Sequence, residues 1–144
     1  MIEQDTIKLL RECDAGVKMG VKSIDDVMDF VCAQELRQCL ATCKAEHQKL
    51  AAEIEEALAR FHDDGKDPDL IAKGMSWMKT NLKLVMNESD QTIADLMTDG
   101  CDMGVKSLSR YLNQYAAADE SSKDIAKRLI RLEERLGVDM RDFL

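Results

Sequence analysis

Apolar residues recur every three or four positions through most of this chain, the spacing that places them along one face of an α-helix. The first pattern extends from about Asp5 to Phe30, and the second ends at the polar break Asp63-Asp64-Gly65. Further helices are predicted over 67–86, from 88 to about Tyr115 and from near Ser122 to Gly137, followed by a short tail, 138–144. With only one proline and few β-branched runs, the chain is predicted to be all-α.

Two helix boundaries are weakly marked in the sequence. The first turn contains neither Gly nor Pro, and aligning the two halves of the chain places it a few residues after Cys32. The polar run 87–90 either interrupts the helices or belongs to one continuing helix. We favour the interruption, because a continuous helix from 67 would be about 75 Å long and would require a bend or a swapped dimer.

One helical segment occurs twice. Met19-Gly20-Val21-Lys22-Ser23 recurs as Met103-Gly104-Val105-Lys106-Ser107, and Gly16 and Gly100 precede the copies in step. Two hairpins, 5–64 and 88–137, are therefore expected to pack about a pseudo-twofold axis as an antiparallel four-helix bundle. Residues 67–86 would form a helical crossover between them, and the whole chain, 1–144, would be a single domain.

The repeat, the helix lengths and the crossover resemble the ferritin-like, or rubrerythrin-like, class of bacterial proteins. That resemblance implies a di-iron site with two Glu-x-x-His motifs. This chain departs from the pattern: its two histidines, His47 and His62, follow Lys44 and Ala59 where the motif requires glutamate. No di-iron ligands are carried over.

Each repeat glycine reduces helix stability by about 1 kcal/mol relative to alanine, so something must offset that loss. We expect the glycines to let the two repeat helices approach each other closely. The alternative is helix backbone exposed to a ligand.

Composition narrows the possible partners. The net charge of −8 disfavours nucleic acid and anionic lipid surfaces. The chain has neither a signal-peptide pattern at Met1 nor a long apolar run, so a cytoplasmic protein without a membrane span is expected. Five cysteines, an odd number, are expected to be reduced thiols.

Two polar residues, Asp14 and His47, interrupt otherwise apolar helix faces. A buried Asp14–His47 pair is the simplest prediction, because buried polar groups require partners. The alternative is a single metal ion held by His47 with Asp14, Cys43, Cys39 and Glu46. The metal-site alternative is less favoured, because side chains four residues apart on one helix converge poorly on one ion. No organic cofactor is indicated.

The copies differ in a way that predicts where a site lies. Thr98 aligns with Asp14, and the last helix is predicted to present an apolar face where the second helix has His47. Any site is therefore expected within the first hairpin.

The predicted function is a non-catalytic interaction or structural protein that forms homo-oligomers through the 67–86 helix, where Trp77 and nearby methionines would make the contact. The alternative is a divergent ferritin-like protein that binds iron, zinc or copper. A third hypothesis, a reactive Cys39 or Cys43, requires a lowered thiol pKa.

Overall fold

A computed structural model describes residues 2–63 and 89–144. In this part of the chain it contains four α-helices, a final 3-10 turn and no β-strand, which confirms the predicted all-α bundle. The helices are α1 (Ile2–Met28), α2 (Gln34–Ala59), α3 (Asp90–Gln114) and α4 (Glu120–Met140). The 67–86 crossover lies outside the described residues.

The α1–α2 turn occupies 29–33, a few residues earlier than the repeat alignment predicted, because α2 already begins at Gln34. Asp90 at the start of α3 fixes this turn, because its carboxylate accepts hydrogen bonds from the backbone N–H groups of Cys32 and Ala33 at 2.8 and 2.9 Å. Ser89 is extended, with φ −90° and ψ 166°, so α3 begins at Asp90 and no helix continues through Ser89. The expected interruption near this position therefore agrees with the structure.

The opposite end of the bundle is fixed in the same way. Asp119 caps α4 by accepting a hydrogen bond from the Ser122 N–H at 2.8 Å. The Asp119 N–H in turn donates to the Thr6 hydroxyl of α1, also at 2.8 Å. These bonds hold the α3–α4 turn against the beginning of α1.

Two helix ends differ from the sequence prediction. The predicted stop at Gly137 is wrong, since α4 continues to Met140, whose side chain is fully buried. A Cβ at Gly137 would lie 3.6 Å from Cys101, so this glycine lies close to α3 without ending α4. Helix α2 ends at Ala59. Just beyond this end, His62 takes a left-handed φ of 55°, and the Asp63 N–H donates a hydrogen bond to the Leu58 carbonyl.

The buried apolar residues form two clusters, one toward each end of the bundle. The cluster near the beginning of α1 includes Leu9, Leu10, Val17, Ile54, Leu108 and Leu129. The cluster near the α1–α2 turn includes Ile24, Leu36, Leu40, Ile93, Leu136 and Met140. Between them, halfway along the bundle, lies a layer of different chemistry.

Candidate functional site

The layer between the two apolar clusters consists of His47 and Glu133, packed beneath Gly20 and Gly104. We call these four residues the polar layer, and each comes from a different helix. His47 Nε2 lies 3.0 Å from Glu133 Oε1, and both residues are buried. The pair joins α2 to α4 and thus links the two hairpins at their middle.

Both ring nitrogens of His47 face acceptors. Nε2 faces the Glu133 carboxylate, and Nδ1 lies 2.9 Å from the Cys43 carbonyl oxygen and 3.4 Å from the Cys43 sulfur. Burial by itself lowers the pKa of His47, but the hydrogen bonds with Cys43 and Glu133 outweigh it and raise that pKa to about 10. Two acceptors at opposite ring nitrogens thus favour the imidazolium form of His47, which can donate to both.

The glycines of the repeat have a different role from the predicted one. A Cβ added at Gly20 would lie 2.8 Å from His47 Cδ2, and one at Gly104 would lie 3.5 Å from Glu133. A Cβ at Gly16 would meet only Leu129 of α4 within 4 Å, and one at Gly100 would meet nothing. Among the residues described, the atoms nearest to Gly16, Gly20 and Gly104 thus belong to α2 and α4. This packing against α2 and α4 differs from the direct contact between the two repeat helices that we predicted for the glycines.

A cavity of about 230 Å³ lies between α1 and α3, directly above the polar layer. Both copies of the repeat line it in corresponding positions, with four glycines, two methionines and two serines. These residues are Gly16, Met19, Gly20, Ser23, Gly100, Met103, Gly104 and Ser107. Most of the remaining wall is apolar, and Glu12 and Tyr111 lie toward the end nearer the α3–α4 turn.

The thiols do not supply a nucleophile to this cavity. Burial and the neighbouring Glu133 carboxylate raise the pKa of the Cys101 thiol well above its usual range. Burial and the Asp139 carboxylate likewise raise the pKa of Cys39 to about 11. The reactive-cysteine hypothesis required a lowered pKa and is wrong for Cys39.

The residues of the predicted metal site lie with other partners. Asp14 Oδ2 is 2.8 Å from Lys18 Nζ, and Cys39 Sγ is 3.7 Å from Asp139 Oδ2. Glu46 pairs with Arg135 at 3.4 Å. Of the other four residues in the predicted metal site, only Cys43 therefore contacts His47 directly. In residues 2–63 and 89–144 no three His, Cys, Asp or Glu side chains form a group that could hold a metal ion.

Two further expectations about His47 need correction. The carboxylate that pairs with His47 belongs to Glu133 and not to Asp14. Because Glu133 lies in the second hairpin, the site spans both hairpins and is not confined to the first. The face of α4 is also not apolar throughout, because Glu133 is buried beside Leu132. The signal for Glu133 was its position four residues after Leu129 and three before Leu136, which places it on the inward face of a helix.

Fold and site together define a helical-bundle protein with a buried ion pair beneath an apolar cavity. Comparison with models of known protein families, with curated proteins and with solved structures found no match to this chain. Among the described helices, none has the length and apolarity needed to cross a membrane.

Proposed function

We propose that this chain is a non-catalytic binding protein whose cavity between α1 and α3 takes a small, mainly apolar ligand. The observation that carries the proposal is the open space at Gly100, where an added Cβ would meet no atom of residues 2–63 and 89–144 within 4 Å. A glycine inside a helix lowers stability by about 1 kcal/mol relative to alanine, and packing does not require one at this position. Keeping the cavity open offers a reason for it.

The size of the cavity suits a ligand of one ring with a short chain. An engineered apolar cavity of about 150 Å³ binds benzene, and this one measures about 230 Å³. Met19 and Met103 stand at corresponding places on its two walls, and their flexible side chains can adapt to different ligand shapes. Met103 is 54% exposed, so its side chain is also accessible from solvent.

The polar groups of the cavity fit binding better than catalysis. A general base must be able to accept a proton near neutral pH, whereas His47 is held as a cation by two acceptors. Cys101 is held as a neutral thiol beside Glu133.

Titration calorimetry with 4-phenylbutan-1-ol tests the proposal. Wild-type protein is expected to bind this alcohol saturably, and Gly100→Leu, which fills the open space, is expected to weaken binding by about tenfold or more. Gly100→Ala should bind nearly as well as wild type. Ser109→Leu adds the same side chain to an exposed position of α3 outside the cavity and is the matched control.

Two results would contradict the proposal. Wild-type protein that shows no saturable heat, or Gly100→Leu that binds as tightly as wild type while Ser109→Leu is also unchanged, would show that the cavity is not a binding site. Circular dichroism of each variant establishes that the bundle is folded before binding is compared.

Self-association and the ferritin-like class remain predictions beside this proposal. The homo-oligomer contact was predicted on Trp77 and the 67–86 helix, which lie outside the described residues. The pairing of α1 with α2 and of α3 with α4 supports two hairpins of a ferritin-like bundle. Sedimentation across the micromolar range tests the oligomer, and a concentration-independent monomer mass would reject it.

A further inference from the structure

We infer that the ligand of this cavity is an amphiphilic organic cation. Its ammonium group pairs with Glu12, and its apolar body extends toward the polar layer. This inference rests on the proposed function and specifies its ligand. It follows from the charges on the cavity wall, from the surroundings of Glu12 and from the length of the cavity.

The charges on the wall do not balance. Of the formally charged residues that line the cavity, His47 and Glu133 neutralise each other at 3.0 Å. Glu12 is the third, and its carboxylate gives the described lining a net negative charge. A ligand that places an anion in this cavity would meet repulsion, whereas a cation would complete the charge balance.

The surroundings of Glu12 also favour a cation. Burial raises the pKa of Tyr111, and the nearby Glu12 carboxylate raises it further, so the tyrosine stays neutral beside Glu12. Within residues 2–63 and 89–144, one neighbouring hydroxyl leaves most of the acceptor positions of the Glu12 carboxylate available. The Tyr111 and Tyr115 rings stack with centroids 6.2 Å apart beside it, and tyrosine faces attract organic cations.

The length of the cavity sets the length of the ligand. Glu12 and Gly20 are eight residues apart on α1, which corresponds to about 12 Å along the helix. A phenyl ring joined to an ammonium group through four methylene groups covers most of that distance. The ammonium group would then lie at Glu12 while the ring lies among the glycines and methionines above His47.

Calorimetry with three probes of the same apolar body tests the charge: 4-phenylbutylammonium, 4-phenylbutan-1-ol and 4-phenylbutyrate. Wild-type protein is expected to bind the ammonium probe about tenfold or more tightly than the alcohol, and the alcohol more tightly than the carboxylate. Glu12→Gln should abolish the preference for the ammonium probe over the alcohol. Tyr111→Phe should retain the preference, because it removes only a competing donor.

A matched control separates the local charge from the net charge of the protein. Glu56→Gln removes one negative charge from an exposed position of α2 and should leave all three affinities unchanged. Equal binding of the ammonium probe and the alcohol to wild type, or an equal loss of preference in Glu56→Gln, would overturn the inference while the proposed function stands. Failure of all three probes to bind would overturn both.

Discussion

Two glycines that are equivalent in the repeat have different surroundings in the polar layer. Gly20 and Gly104 occupy the same place in the two copies of the repeat, yet a Cβ at Gly20 would lie 2.8 and 2.9 Å from the His47 ring, while a Cβ at Gly104 would lie 3.5 Å from Glu133. We therefore predict opposite effects for Gly20→Ala and Gly104→Ala on the free energy of unfolding.

The expected magnitudes follow from the two distances. A contact of 3.5 Å is ordinary van der Waals packing, so Gly104→Ala should gain about 0.5 to 1 kcal/mol from the higher helix propensity of alanine. In Gly20→Ala the His47 ring must move, but it is fully buried and held at both nitrogens. Overpacking costs about 1 to 3 kcal/mol, and weakening a charged hydrogen bond costs about 1.5 to 3 kcal/mol. The gain in helix propensity offsets part of this cost. The free energy of unfolding of Gly20→Ala should therefore fall by about 2 kcal/mol or more.

Urea unfolding followed by circular dichroism at pH 7 measures both variants against wild type. Gly100→Ala is the reference for helix propensity alone, because its Cβ would meet no atom of the described part of the chain within 4 Å. NMR titration of His47 gives an independent readout, since displacement of the ring from Glu133 should lower its pKa in Gly20→Ala only. Equal stabilities for Gly20→Ala and Gly104→Ala, within about 0.5 kcal/mol, would refute the packing argument.

Three further predictions concern single side chains. The pKa of His47 is raised to about 10 in the folded protein, from about 6.5 in the unfolded chain. The stabilisation that protonated His47 provides is therefore complete below pH 6.5 and is lost as the pH rises toward 10. The free energy of unfolding should fall by about 1 kcal/mol from pH 7 to 8. The His47→Gln variant should lack this slope, and an identical slope would reject the assignment. His62→Gly should raise stability by up to about 1 kcal/mol in urea unfolding, since glycine adopts the left-handed φ of 55° without strain; a loss of stability would count against it. Native-state labelling with a thiol reagent, read by mass spectrometry, should modify exposed Cys32 well before buried Cys101, and the reverse order would contradict the described burial.

Helix positions were predictable because apolar spacing reports which face of a helix is buried. That spacing placed His47 inside the bundle, and the structure confirms its burial. It could not identify the partner of His47, because Asp14 and Glu133 are both acidic residues on inward faces and only the packing of four helices decides between them. Lys18, four residues after Asp14 on the same helix, pairs with Asp14 in the structure.

Glycine spacing was a less informative signal. It showed that side chains are missing from one face of each repeat helix, but it could not show what occupies the space. The two answers differ between the repeat helices: at Gly20 of α1 the space is filled by the His47 ring, and at Gly100 of α3 no described atom fills it. In the same way, Gly137 indicated a helix end from sequence, whereas in the structure α4 continues and this glycine faces Cys101.

The polar layer also explains how a repeated segment can serve an asymmetric site. Gly20 and Gly104 provide two corresponding spaces at the middle of the bundle, and the chain fills one with an imidazolium and the other with a carboxylate. Stability alone does not account for that choice, because apolar residues of similar size in place of a buried ion pair are often neutral or stabilising. The pair leaves the layer without net charge, so the carboxylate of Glu12, some 12 Å away along α1, dominates the electrostatic character of the cavity. The symmetric parts of the repeat thus form the walls, and the substitutions that break the symmetry determine which ligand charge those walls accept.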